Sequence, residues 1–128
     1  LRQGSGASSQ PLAFQKVSSE AELEAMLAKA DRTVLLDFYA DWCVSCKEME
    51  RFTFTDPQVA RKMGGALLLK ADVTANTDDH RALLKRFKLF GPPGMVFFDA
   101  KGQELPGVRV IGFQDAKRFS QSLTAAGL

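Results

Sequence analysis

Cysteine is scarce in this sequence: two residues, Cys43 and Cys46, in a chain of 128. A bridge between positions so close closes almost no loop, so it restricts the unfolded chain little. A structural staple is therefore a poor reason for the pair, and a chain of this length can bury a core without one. Histidine occurs once, at His80. A structural zinc site takes about four Cys or His ligands, so no metal is expected, and His80 reads as a surface helix residue. Excess charge of one sign is missing as well, the formal net charge being +2. Lys85, Arg86 and Lys88 are the densest basic group, and they read as a solvated helix face. No basic stripe with interleaved aromatics is present, so no nucleic-acid partner is expected. Apolar runs are short, far below the roughly 20 residues of a membrane-spanning helix. The chain begins at Leu1 without a signal-peptide pattern and reads as a piece of something longer.

What is present is an alternation of helical and strand patterns. Residues 1–12 are Gly/Ser-rich and lack periodicity, as in a flexible linker or an expression remnant, and 13–128 read as one domain. A short strand is expected over 14–17. Ser19 and Glu22 form a capping-box pattern ahead of Leu23, Met26, Leu27 and Ala30, a helix ending near Asp31. Val34 to Ala40 is a nearly unbroken apolar run, suited to a central strand covered on both faces. A helix follows from about Cys43 to Phe52. Asp56 as N-cap with Pro57 behind it opens another. Strands are expected over 66–73, 95–98 and 108–111, with helices over 78–89 and 115–126. The order β-α-β-α-β-α-β-β-α implies an α/β fold: a central mixed sheet with helices on both faces.

Cys43-Val44-Ser45-Cys46 falls where the buried strand turns into a helix. Unpaired backbone N–H groups and the helix dipole favour a thiolate there. Three-residue spacing brings the second sulfur to the first, so one thiol can resolve a mixed disulfide made by the other. Cys43 is expected to be exposed and Cys46 covered. In Gly91-Pro92-Pro93-Gly94, a proline directly before a strand is a candidate cis peptide, and either Pro92 or Pro93 could hold it. Backbone left free there could pair with an extended substrate.

Asp37 interrupts the apolar strand, and a buried acid tends to a raised pKa. Glu50, four and seven residues beyond the cysteines, falls on their face of a regular helix. Negative charge at both acids would disfavour a Cys43 thiolate, and Asp37 could serve Cys46 as a general base.

The stretch from Asp37 to Lys47 (Asp-Phe-Tyr-Ala-Asp-Trp-Cys-Val-Ser-Cys-Lys) resembles the thioredoxin superfamily. It is most similar to the C-terminal periplasmic domains of the DsbD family of thiol:disulfide interchange proteins. Glu48-Met49-Glu50, Thr53 to Val59, Asp72 to Asn76 and Gly112 to Ala116 carry the same resemblance, which spans roughly residues 14–124. It implies a thioredoxin-like fold and a protein-disulfide reductase with no cofactor beyond a redox-active Cys43–Cys46 disulfide. Cys43 would attack and Cys46 resolve, with Asp37 and Glu50 as an acidic pair beside them. Pro93 would be the cis-proline, and Trp42, Pro92 and Pro93 would face the substrate. The parent would be a bacterial inner-membrane protein. Its membrane domain would supply electrons to this periplasmic domain, and its N-terminal domain would pass them to isomerases and cytochrome c maturation proteins. The fragment itself would be a monomer outside the membrane. The family usually carries a triplet such as Leu-Pro-Thr where this chain has Pro92-Pro93-Gly94. A cytochrome c maturation type of reductase is the nearest alternative, and a redox-inactive binding module of the same fold a more distant one.

Overall fold

The computed structural model describes residues 12–128, so the linker expected at 1–12 lies, apart from Leu12, outside the described residues. Strand β1 (Gln15–Lys16) leads into helix α1 (Glu20–Ala28). The Ser19 side chain caps α1 by accepting from the Glu22 N–H at 3.2 Å. Glu22 reaches back to accept from the Ser18 N–H at 2.6 Å, one residue before the partner that a capping box prescribes.

Strand β2 (Val34–Tyr39) is buried along its whole length, as the apolar run implies. It is followed by helix α2 (Val44–Glu48), a π-helical turn (Met49–Thr53) and helix α3 (Pro57–Met63). Asp56 caps α3, its carboxylate accepting from the N–H groups of Gln58 and Val59 at 3.1 Å. Strand β3 (Leu67–Asp72), helix α4 (Asp78–Arg86), strand β4 (Gly94–Phe98), strand β5 (Val110–Ile111) and helix α5 (Ala116–Ala125) complete the chain.

The sheet order is β1-β3-β2-β4-β5. β1, β3 and β2 run parallel, and β4 and β5 are antiparallel to their neighbours. Leu23 and Leu27 of α1 and Leu83 of α4 pack with Val34, Leu36 and Phe38 in one buried cluster, which also takes in both cysteines. Met49 of the π turn, Val59 and Met63 of α3, and Phe119 and Leu123 of α5 pack with Leu35, Leu68, Met95 and Phe97 in the other. The expected mixed sheet between helix layers is what the chain forms.

Three elements differ from the sequence reading. The helix expected from Cys43 to Phe52 is α-helical only to Glu48. Beyond it the Phe54 N–H donates to the Met49 carbonyl at 2.9 Å, a five-residue step that widens the turn. The helix expected to reach Leu89 stops at Arg86, since Lys88 takes a left-handed φ of 58°. The strand expected from Val108 begins at Val110, because Pro106 starts a 3-10 turn over Pro106–Val108.

Candidate active site

The chain leaves β2 at Tyr39 and turns sharply, with the Cys43 N–H donating to the Ala40 carbonyl at 3.0 Å. Cys43 is the N-cap of α2, and its sulfur accepts from the Cys46 N–H at 3.1 Å. The two sulfurs are bonded to each other, with Cα atoms 5.3 Å apart. Cys46 Sγ lies 3.9 Å from the Phe38 carbonyl oxygen, a ready acceptor for its thiol in the reduced form. The expectation of an exposed Cys43 is corrected: the residue is only 6% exposed, close to the 4% of Cys46. As a capping residue its side chain folds back over the first turn instead of standing out into solvent.

Asp37 is buried, as expected for a carboxyl in mid-strand. Burial pushes it up to about 8 from an ordinary 3.8; Lys70 opposes that shift and Glu50 adds to it. At neutral pH it therefore stands mainly as a neutral acid. The negative charge expected from the sequence develops only at higher pH.

Asp37 and Lys70 are register partners on the parallel strands β2 and β3. By strand alternation they share the sheet face of Leu35 and Leu68, the face covered by the π turn, α3 and α5. The π turn brings Glu50 to the same place, where its carboxylate accepts from Lys70 Nζ at 2.8 Å. Glu50 is thus paired and partly covered, unlike the exposed Glu48. Lys70 Nζ also sits 3.9 Å from the centroid of the Tyr39 ring. Burial pulls Lys70 down, but the hydrogen bond and charge of Glu50, with Asp37 and Tyr39 behind them, hold its ammonium above the usual lysine value.

Trp42 stands beside the disulfide and is 61% exposed. Its Nε1 donates to the Thr74 carbonyl at 3.3 Å, and the Asp41 N–H donates to Thr74 Oγ1 at 2.8 Å, so the loop after β3 holds this corner. The cis peptide is Pro92–Pro93, which resolves the choice between the two prolines for Pro93. β5 runs beside this loop: Ile111 pairs with Gly94, and the Gly112 N–H donates to the Pro93 carbonyl at 3.2 Å. Val44 and Ile111 are large exposed apolar side chains near the disulfide and the proline loop respectively.

Sequence reasoning missed Lys70 and Thr74. Lys70 carries the signal that exposed Asp37, a charge inside an apolar strand, but long cationic side chains usually reach solvent from such places. His80 lies elsewhere: its Nδ1 accepts from the Thr77 N–H at 3.3 Å and caps α4. Among the described residues no three His, Cys, Asp or Glu side chains converge as a metal ion would need.

The family of thioredoxin-like domains matches residues 20–127. The thiol:disulfide interchange protein DsbD of Ralstonia nicotianae is 56% identical over 116 residues, covering 88% of this chain and 19% of the relative. That of Yersinia enterocolitica is 51% identical over 113 residues, covering 88% of this chain and 20% of the relative. The chain thus spans about a fifth of the length of these curated relatives. The crystal structure of the DsbD C-terminal domain of Neisseria meningitidis in its oxidised form is 37% identical. That match covers 88% of this chain and 99% of the Neisseria domain, with a TM-score of 0.72.

Proposed function

The chain belongs to the thioredoxin-like family and, within it, to the DsbD C-terminal domains, a group of thiol–disulfide oxidoreductases; on that premise we propose that it relays two electrons from a membrane-domain dithiol to a periplasmic disulfide partner. The observation that carries this reading is a disulfide at a helix N-terminus, where a thiolate is stabilised, with a proton-carrying carboxyl one residue before the carbonyl that Cys46 approaches.

In the reduced domain Cys43, as thiolate, attacks one sulfur of the partner's disulfide. A Cys43–partner bond forms, and the partner's other sulfur leaves as a thiolate and takes up a proton. Cys46 then gives up its proton and attacks Cys43 Sγ, which frees the second partner sulfur as a thiol. The partner gains two electrons and two protons, and the Cys43–Cys46 bond is restored. The ionised fraction of Asp37 takes the Cys46 proton in this direction, the partner's second sulfur drawing its proton from solvent, and Asp37 returns that proton when the domain is reduced again. Its value of about 8 lies near that of an ordinary thiol, so either transfer is close to balanced.

Trp42, Val44, Ile111 and the Pro92–Pro93 loop form the surface that a partner protein covers. Pro92 has no backbone N–H, so a docked strand is held there through acceptors alone. Among the described residues no helix is long and apolar enough to cross a membrane. By the family reading, the domain acts as a monomer in the periplasm and is tethered through the rest of its parent.

The test is electron transfer to the N-terminal periplasmic domain of a DsbD relative. The reduced chain is expected to reduce that domain's disulfide at least about tenfold faster than it reduces insulin. Equal rates on both substrates would point to a general reductase of the cytochrome c maturation or thioredoxin kind. A failure to reduce either would leave a binding module.

A further inference from the structure

The densest basic group of the sequence, Lys85, Arg86 and Lys88, divides in the fold. Arg86 turns toward α1 and pairs with Glu20 and Glu24. Lys85 and Lys88 instead line an open groove of about 500 Å³, together with Leu84, Leu89 and Phe90. Leu84 and Leu89 are partly buried and pack against the core. Among the described residues neither lysine takes part in an ion pair. Arg81, on the same groove, is already held by the Asp78 carboxylate and the Asn76 carbonyl. Phe90 is wholly exposed. A single exposed apolar side chain is ordinary on a protein surface. On a groove with two unpaired cations, however, it adds an apolar contact to a positive rim.

The groove adjoins the exchange site. The methyl carbons of Leu89 lie 3.3 and 3.4 Å from where a Cβ on Gly94 would stand, directly after the cis Pro92–Pro93 peptide. Phe90 precedes that peptide by two residues, and Asn76, also on the groove, follows two residues after Thr74, whose carbonyl holds the Trp42 indole. We propose that the groove is a substrate subsite for an extended, acidic segment of the protein being reduced. Carboxylates of that segment meet Lys85 and Lys88, and a large apolar side chain rests on Phe90 and Leu89. The proposal rests on the exchange reading above and adds the chemistry of the partner to it. Anionic lipid would match the same charge, but a membrane laid over this groove would also cover Trp42 and the proline loop, where the partner must enter. A protein segment running on from the partner's reactive cysteine reaches the groove without blocking the disulfide.

The test uses peptides closed by the same internal disulfide and flanked on both sides by Glu-Phe-Glu, Ser-Gly-Ser or Lys-Phe-Lys. Exchange opens each to a dithiol while the Cys43–Cys46 bond forms, so electrons and protons balance as in the reaction above. The reduced chain should reduce the acidic peptide about tenfold faster than the neutral one at low ionic strength, and the basic one slowest. High salt should shrink these differences, because both lysines are exposed. Lys85→Glu with Lys88→Glu should reverse the order, and Lys85→Gln with Lys88→Gln should level it. Replacing the phenylalanine of the acidic segment by serine should slow wild type severalfold and the Phe90→Ser variant hardly at all. Equal rates on the three peptides in wild type, or an acidic preference kept by the Lys85→Glu, Lys88→Glu variant, would overturn the proposal. So would Phe90-dependent sedimentation with phosphatidylglycerol vesicles in the absence of any peptide preference, which would give this surface to lipid. Reduction of none of the peptides would remove the exchange reading itself, so the two failures are distinguishable.

Discussion

Asp37 is a carboxyl group held in a strand that solvent scarcely reaches, and it makes stability depend on pH. Between 3.8 and about 8 the folded state keeps a proton on Asp37 that the unfolded chain has released. Stability therefore declines as pH rises across that window, and the decline is complete above it. The oxidised Asp37→Asn variant lacks this group. It should match wild type within about 1 kcal/mol near pH 4 and exceed it at pH 8.5 by a margin on the order of a few kcal/mol. Urea unfolding at the two pH values measures both. A constant difference between variant and wild type would show that Asp37 is not protonated in the fold. At this scale the sequence was legible wherever a residue broke a pattern: Asp37 within an apolar strand, and two cysteines at a strand-to-helix junction. Lys70 broke the same kind of pattern, but its partner comes from a turn whose geometry no spacing rule supplies. The burial of Cys43 was equally hidden, because it depends on which way a capping side chain rotates.

The elements of the fold are set by local signals that survive in the structure. Ser19, Asp56 and Asp115 each cap the helix that follows them, and Pro57 occupies the first helical position of α3. The misjudged boundaries have physical causes. An α-helix and a π turn share apolar spacing over a few residues, so the step at Met49 leaves no mark in the sequence. It matters nonetheless, because the wider turn carries Glu50 to Lys70. The turn is also tied across the fold, with Thr53 Oγ1 donating to the Gln114 carbonyl at 2.7 Å. Gly102 is an element-scale constraint of another kind. It joins β4 to the segment before β5 with φ at +84°, and a Cβ there would come within 2.9 Å of the Leu27 carbonyl oxygen. Gly102→Ala combines an unfavourable backbone region with a backbone clash, and should cost about 1–3 kcal/mol. A lowered urea midpoint would register this, whereas an unchanged midpoint would mean that α1 and this turn move apart freely.

At the scale of the whole molecule, the mixed sheet and the two helix layers followed from the alternation of elements and the closing strand pair, whereas the strand order β1-β3-β2-β4-β5 did not. The chemistry followed from one short motif placed at the end of a wholly buried strand. What the sequence did not disclose is the division of labour around that motif. The core packs against the disulfide, and Asp37, Lys70 and Glu50 come together on one face of the sheet. Trp42, Val44 and Ile111 present apolar surface where a partner would arrive. The proposed function carries one order of events, in which Cys43 meets the partner and Cys46 follows. Peptide mapping by mass spectrometry tests this most directly, after reduced Cys46→Ala and Cys43→Ala variants meet a disulfide-bonded N-terminal domain of a DsbD relative. The account predicts a stable mixed disulfide on Cys43 in the first variant and little or none on Cys46 in the second. Capture through Cys46, or through neither residue, would contradict it.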